Sequence, residues 1–195
     1  MTTQTLDLQT QEVTQSTTDQ TTTDKPGNRT TPTTLAAIQF RPLVSAADKA
    51  AFRALNEEWI SRYFVLEPKD IETLSDPDST ILNKGGRIYI ADHDGHPIGC
   101  VALIPLHIGA DNGVYELSKM AVSPVLRGQG IGRRLIEYAV AEARALGATS
   151  LFLGSSSKLK NAVHLYESIG FRHVPSSSLP DLHYTRADVF MEMRF

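Results

Sequence analysis

A single cysteine, Cys100, in 195 residues rules out an internal disulfide framework and any zinc cluster built on thiolates. It sits within Ile98-Gly99-Cys100-Val101-Ala102-Leu103. That run reads as a buried strand, so the thiol is expected to serve as a small core hydrophobe rather than a nucleophile. No apolar stretch approaches the roughly 20 residues of a bilayer span, and no membrane partner is expected. The formal net charge is only −3, which gives no electrostatic case for a nucleic-acid partner but leaves room for a small anion in one local pocket. The six histidines follow no His-x-x-x-His or other ligand spacing, so no metal is expected. No Ser-His-Asp set is evident, and Ser155-Ser156-Ser157 reads as a helix cap or a cofactor contact. The first residues lack a basic-then-apolar leader pattern and carry Asp7, Glu12, Asp19 and Asp24, which predicts a cytoplasmic protein.

What is present changes texture at about residue 36. Residues 1–36 are rich in Thr and Gln with almost no large apolar side chains, and are predicted to be a disordered tail. Residues 37–195 are predicted to form one domain. Ile38 to Leu43 alternates as a strand and ends at a Ser45 helix start. Ala50, Leu55, Trp59 and Tyr63 recur at helical spacing, and Pro68 opens a second short helix. Strands over 86–91 and 98–104 flank Asp94-Gly95, a hairpin signal. A strand over 114–122, a helix over 131–146, a strand over 150–153, a helix over 159–169 and strands over 171–174 and 187–195 follow. The order β-α-α-β-β-β-α-β-α-β-β predicts an α/β mixed sheet with helices on both faces.

The densest signal is Arg127-Gly128-Gln129-Gly130-Ile131-Gly132, between a strand and a strongly periodic helix. It fails the P-loop pattern, because no lysine follows the glycines, and the dinucleotide pattern, because Arg133 stands where the third glycine belongs. The physical ingredients still suit an anion. A glycine-rich turn exposes backbone N–H groups, a helix amino end adds partial positive charge, and Arg127 adds a cation.

This loop, preceded by Lys119-Met120-Ala121-Val122-Ser123-Pro124, resembles the acyl-CoA loop of the GNAT superfamily of N-acetyltransferases. The later run Ala162-Val163-His164-Leu165-Tyr166-Glu167-Ser168-Ile169-Gly170-Phe171 resembles that superfamily's second hallmark. The resemblance covers about residues 37–195 and implies the GNAT fold with acetyl-CoA as acyl donor. It implies that the amides of Arg127, Gly128, Gln129, Gly130, Ile131 and Gly132 hold a pyrophosphate. It also implies that Met120, Ala121 and Val122 contact the pantetheine arm where two strands splay apart. Many members carry an asparagine seven residues before the motif tyrosine. Here Leu159 stands there, and Asn161, five before Tyr166, is the pantetheine candidate.

Amide formation from a thioester needs a neutral amine and a proton for the departing thiolate. Tyr166 matches the superfamily's acid. Glu116, on the strand feeding the loop, shares a period-two face with Ser118 and Met120 and is the candidate base. The resemblance places the acceptor between the first helices and the last strands, at Trp59, Arg62, Tyr63, Tyr184 and Arg186. An arginine there could pair with an acceptor carboxylate, which favours a small, amino-acid-like primary amine. Three alternatives stand beside this reading: a catalytically silent acyl-CoA sensor, a protein N-acetyltransferase, and an interaction protein working through its tail. A homodimer is left open.

Overall fold

In the computed structural model, which describes residues 37–108, 111–176 and 185–195, the first alternating run becomes β1 (Ile38–Pro42). The predicted tail over 1–36 and Tyr184 lie outside the described residues. Ser45 caps α1 (Ala46–Tyr63) through a reciprocal box. Its hydroxyl accepts from the Asp48 amide and the Asp48 carboxylate accepts from the Ser45 amide, both at 3.0 Å. Phe52, Asn56 and Ile60 recur every four residues on the buried stripe of α1. Next come α2 (Pro68–Ser75) and α3 (Pro77–Thr80). The latter is absent from the sequence expectation, because a four-residue helix carries no periodicity. It forms because Asp76 accepts from the Ser79 amide at 3.1 Å and Pro77 pre-sets the first turn.

The sheet continues with β2 (Arg87–His93), β3 (His96–Ile108) and β4 (Asp111–Val122), then α4 (Ile131–Ala145) and β5 (Ser150–Ser155). It closes with α5 (Lys160–Ile169), β6 (Arg172–His173) and β7 (Val189–Arg194). Asp94 and Gly95 take positive φ between β2 and β3, the expected hairpin turn. Strand order is β1-β2-β3-β4-β5-β7-β6. Among the described residues every pairing is antiparallel except β4 with β5. The mixed sheet and the predicted element order are both present, with α3 added. No helix among the described residues is long and apolar enough to cross a membrane.

Helices cover both faces. On one side α4 seals a core of Leu103, Leu117, Leu135, Ala139, Leu151 and Met191, with α5 packed beside it. On the other, α1 and α2 seal Phe52, Ile60, Leu74, Ile90, Cys100 and Ala121. Cys100 is fully buried there and takes a 3.2 Å hydrogen bond from the Asn56 amide; burial pushes its thiol pKa up to about 12. Leu135 is inaccessible to solvent. Leu135→Ala is expected to cost about 2–5 kcal/mol, since the close-packed neighbours collapse only partly into the void. Urea denaturation of wild type and variant measures it.

Candidate active site

β4 and β5 pair at only three positions, Val114 with Ser150, Tyr115 with Leu151 and Glu116 with Phe152. Beyond Glu116 both strands run on without partners in one another, so the sheet opens between them. On the other edge of β4, Cys100 faces Ala121 and Ala102 faces Ser118, which sets Val101 against both Lys119 and Met120. This is a β-bulge. Lys119 carries it at a φ of 51°. Among the described residues the other non-glycine residue with positive φ is Asp94, in a turn where a short polar side chain tolerates it. A mid-strand lysine has no such local help, and left-handed backbone costs it about 1–2 kcal/mol.

The bulge reverses the alternation of β4. Glu116 and Ser118 lie across from Ile104 and Ala102 on the α1–α2 side, and Leu117 lies on the α4 side. After the bulge Ala121 joins the α1–α2 core, while Met120 and Val122 pack against the α4 core. The period-two expectation that Glu116, Ser118 and Met120 share one face is therefore overturned: the extra residue turns Met120 over.

The opening makes a cavity of about 100 Å³ lined from both sides of the sheet. Asn56, Trp59 and Ile60 come from α1, Glu116 and Ser118 to Met120 from β4, Ser155 and Ser156 from the end of β5, and Tyr166 from α5. Glu116 is 9% exposed. Burial raises its carboxyl above the usual range, against a Ser118 hydrogen bond and the positive charges of Lys119 and Lys69. The Tyr166 hydroxyl faces Met120 Sδ at 4.0 Å, its ring meets Phe171 edge-on, and burial pushes its pKa up to about 12. A carboxyl made more basic and a phenol kept protonated thus line one space, the pairing that acid–base chemistry needs.

Trp59, Leu159 and Ala162 also line an outer groove of about 760 Å³. Gly128 and Gly130 edge it at φ of 80° and 77°, backbone that L side chains rarely adopt, and both glycines face open space. Gly132 serves differently: a Cβ there would meet Met120 Cε at 3.3 Å. Among the described residues no side chain caps the amino end of α4, which opens on this groove, so its first N–H groups suit an anion. Arg127 donates to the Val122 carbonyl at 3.0 Å and pairs with Glu58 of α1. Its buried Nη1 has no hydrogen-bond partner among the described residues. Open glycines, an uncapped helix start and a partly unsatisfied guanidinium fit a pyrophosphate. Lys158 and Lys160 also line the groove. Their signal in the sequence is a pair of lysines flanking Leu159, just where α5 begins.

The remaining candidates separate. Ile131 and the exposed Asn161 line the groove, as does the half-exposed Tyr63. Ala121 and Gln129 line neither space. Arg62 also lines neither, reaching Glu58 at 4.0 Å and lying over the Tyr63 ring. Arg186 lines the inner cavity but its guanidinium binds Asp70 through two bonds, 2.6 and 2.9 Å, and Glu67 at 3.2 Å. Asp70, wholly buried, also takes Lys119 Nζ at 2.7 Å and the Glu67 amide at 3.1 Å. Burial alone would raise the Asp70 pKa, but the Arg186 and Lys119 cations outweigh it and hold it below the ordinary value. Removing one partner from such a buried set costs about 3–5 kcal/mol, because a charge is left unpaired. Sequence reasoning missed this cluster; its one local sign is a lysine inside an apolar strand. No group of three metal-capable side chains gathers among the described residues.

Residues 50–171 match the family model described as the acetyltransferase (GNAT) family. The chain belongs to that family. It is 31% identical over 107 residues to the uncharacterised N-acetyltransferase YjgM of Escherichia coli, covering 52% of this chain and 64% of that one. It is 30% identical over 119 residues to an amino-acid acetyltransferase of Ralstonia nicotianae, covering 60% of this chain and 25% of that one. The matched stretch thus spans less than two thirds of these curated relatives. A GNAT acetyltransferase from Staphylococcus aureus shares the fold, with a TM-score of 0.72 at 21% identity over 81% of this chain and 99% of its own. So does one from Brucella melitensis in complex with acetyl-CoA, at a TM-score of 0.59 and 23% identity over 81% and 88%.

Because Glu116 binds its proton more tightly folded than unfolded, stability falls as pH rises from the unfolded carboxyl range up through its raised folded pKa. Glu116→Gln removes this loss. Its denaturation midpoint should exceed wild type by more at about pH 8 than at about pH 4. An equal difference at both would place the Glu116 pKa at its ordinary value.

Proposed function

We propose that this chain transfers an acetyl group from acetyl-CoA to a primary amine of a small, amino-acid-like molecule, by direct attack within a ternary complex. The observation that carries this reading is the meeting of Glu116 and Tyr166, from opposite faces of the sheet, in one cavity that shares the lining residues Trp59, Leu159 and Ala162 with a phosphate-suited groove. In it the outer groove takes the pyrophosphate against the amides of residues 128–132 and Arg127. The pantetheine arm follows the unpaired edge of β4 to the inner cavity. Thioester chemistry supplies an activated acyl carbon there.

Glu116 takes a proton from the acceptor ammonium, and burial makes it a stronger base than an ordinary carboxylate. The neutral nitrogen bonds to the acyl carbon, the carbon–sulfur bond breaks, and the thiolate receives the Tyr166 proton; the surplus proton on the new amide nitrogen restores the phenol, and Glu116 releases its own proton to solvent. A phenol with a pKa of about 12 stays protonated until that sulfur bears charge. Arg186 is engaged by Asp70 and Glu67, so an acceptor carboxylate would share its cation rather than claim it. The similarity to an amino-acid acetyltransferase supports an amino-acid-like acceptor.

The test is thiol release from acetyl-CoA over a panel of amino acids, polyamines, arylamines and peptide amino termini. Tyr166→Phe should lower kcat by at least about tenfold, within the usual worth of a positioned acid, while KM for acetyl-CoA moves less than about threefold. An unchanged kcat would remove Tyr166 as the acid. No thiol release with any amine, alongside tight acetyl-CoA binding, would favour a sensor. Glu116→Gln should abolish the low-pH limb of kcat/KM; a limb that persists would assign the base elsewhere.

A further inference from the structure

The β4 bulge is a strained point between Glu116 and Met120, whose sulfur faces the Tyr166 hydroxyl. Lys119 adopts its left-handed backbone away from any turn, and no glycine relieves it. Its side chain crosses to α2, where Nζ meets the buried Asp70 at 2.7 Å with only 3% of the lysine side chain exposed. Asp70 is itself fixed from two other directions, by the Arg186 guanidinium and the Glu67 amide. Downstream, Met120 is turned to the α4 side, where its sulfur faces the Tyr166 hydroxyl and its methyl abuts Gly132. A rigid anion on α2, a strained residue and the tyrosine are thus joined through consecutive contacts.

Building on the proposed transferase activity, we propose that Asp70 is a positioning residue: its ion pair with Lys119 pins the bulge in left-handed backbone, and the bulge in turn sets Met120 and Tyr166 at the reaction cavity. The pin compensates for a lysine where a glycine would be at ease. It also ties the acceptor side of the site, through Arg186 and α2, to the strand along which the donor arm lies.

Comparing Lys119→Ala with Lys119→Gly tests this. Both remove the ammonium, so their electrostatic effects on Glu116 cancel, and both leave Asp70 its two bonds from Arg186. They differ in tolerance of positive φ. Two readouts are needed: kcat with acetyl-CoA and an accepted amine, and the methyl signal of Met120 in protein labelled with [13C-methyl]methionine, where only four methionines contribute. Lys119→Ala should lower kcat at least about tenfold with KM for acetyl-CoA within about threefold, and shift the Met120 methyl signal away from its wild-type position. Lys119→Gly should recover most of that kcat and keep the methyl where it is. Asp70→Asn should behave as Lys119→Ala does, and adding Lys119→Gly to it should restore the methyl signal. Equal damage from Ala and Gly, or a Met120 signal indifferent to both, would overturn the pin. A wild-type chain without transferase activity whose methyl follows this series would sink the proposed function and leave the pin standing.

Discussion

The parting of β4 from β5 after Glu116 is the constraint on which the rest of the molecule depends. A continuous sheet is a wall, with each face seen only by the helices that cover it. Here the lost backbone pairing opens a passage through the wall, and residues from α1 on one side and α5 on the other meet in one cavity. The unpaired strand edges that result would be a liability in an ordinary sheet. In an acyl-CoA-binding site they are backbone donors and acceptors waiting for an extended, amide-bearing arm.

Charge is distributed to match that geometry. The outer groove collects the open glycine turn, the uncapped start of α4, Arg127, Lys158 and Lys160, all suited to an anion. The inner cavity instead keeps its charges compensated, with the Arg186 and Lys119 cations resting on Asp70 and Glu67. Glu116 stands apart from this pairing, held by burial with a single serine bond, and so is the carboxyl most ready to take a proton. The outer groove is positive through its lining, while the carboxyl of the inner cavity is tuned by desolvation.

Much of this was legible in the chain. Periodicity gave the elements and their order, because each helix and strand carries its own buried face. The turn at Asp94-Gly95 was legible from residues that tolerate positive φ. The glycine loop pointed to an anion through spacing alone. Less legible were α3, too short to show a period, and the β4 bulge. Strict alternation placed Met120 beside Glu116, and one extra residue put it on the opposite face.

The sequence by itself determined the local chemistry: which stretches are helical, where the backbone turns left-handed at glycine, and which side chains can hold or move a proton. Those properties depend on neighbours within a few residues. Tertiary structure alone decided that Asp70 and Lys119, 49 positions apart, form a buried pair and that Arg186 spends its guanidinium on the same carboxylate. It also decided that Glu116 is desolvated enough to become a stronger base. Desolvation and long-range pairing are set by what packs around a group, and no window of sequence contains that surrounding.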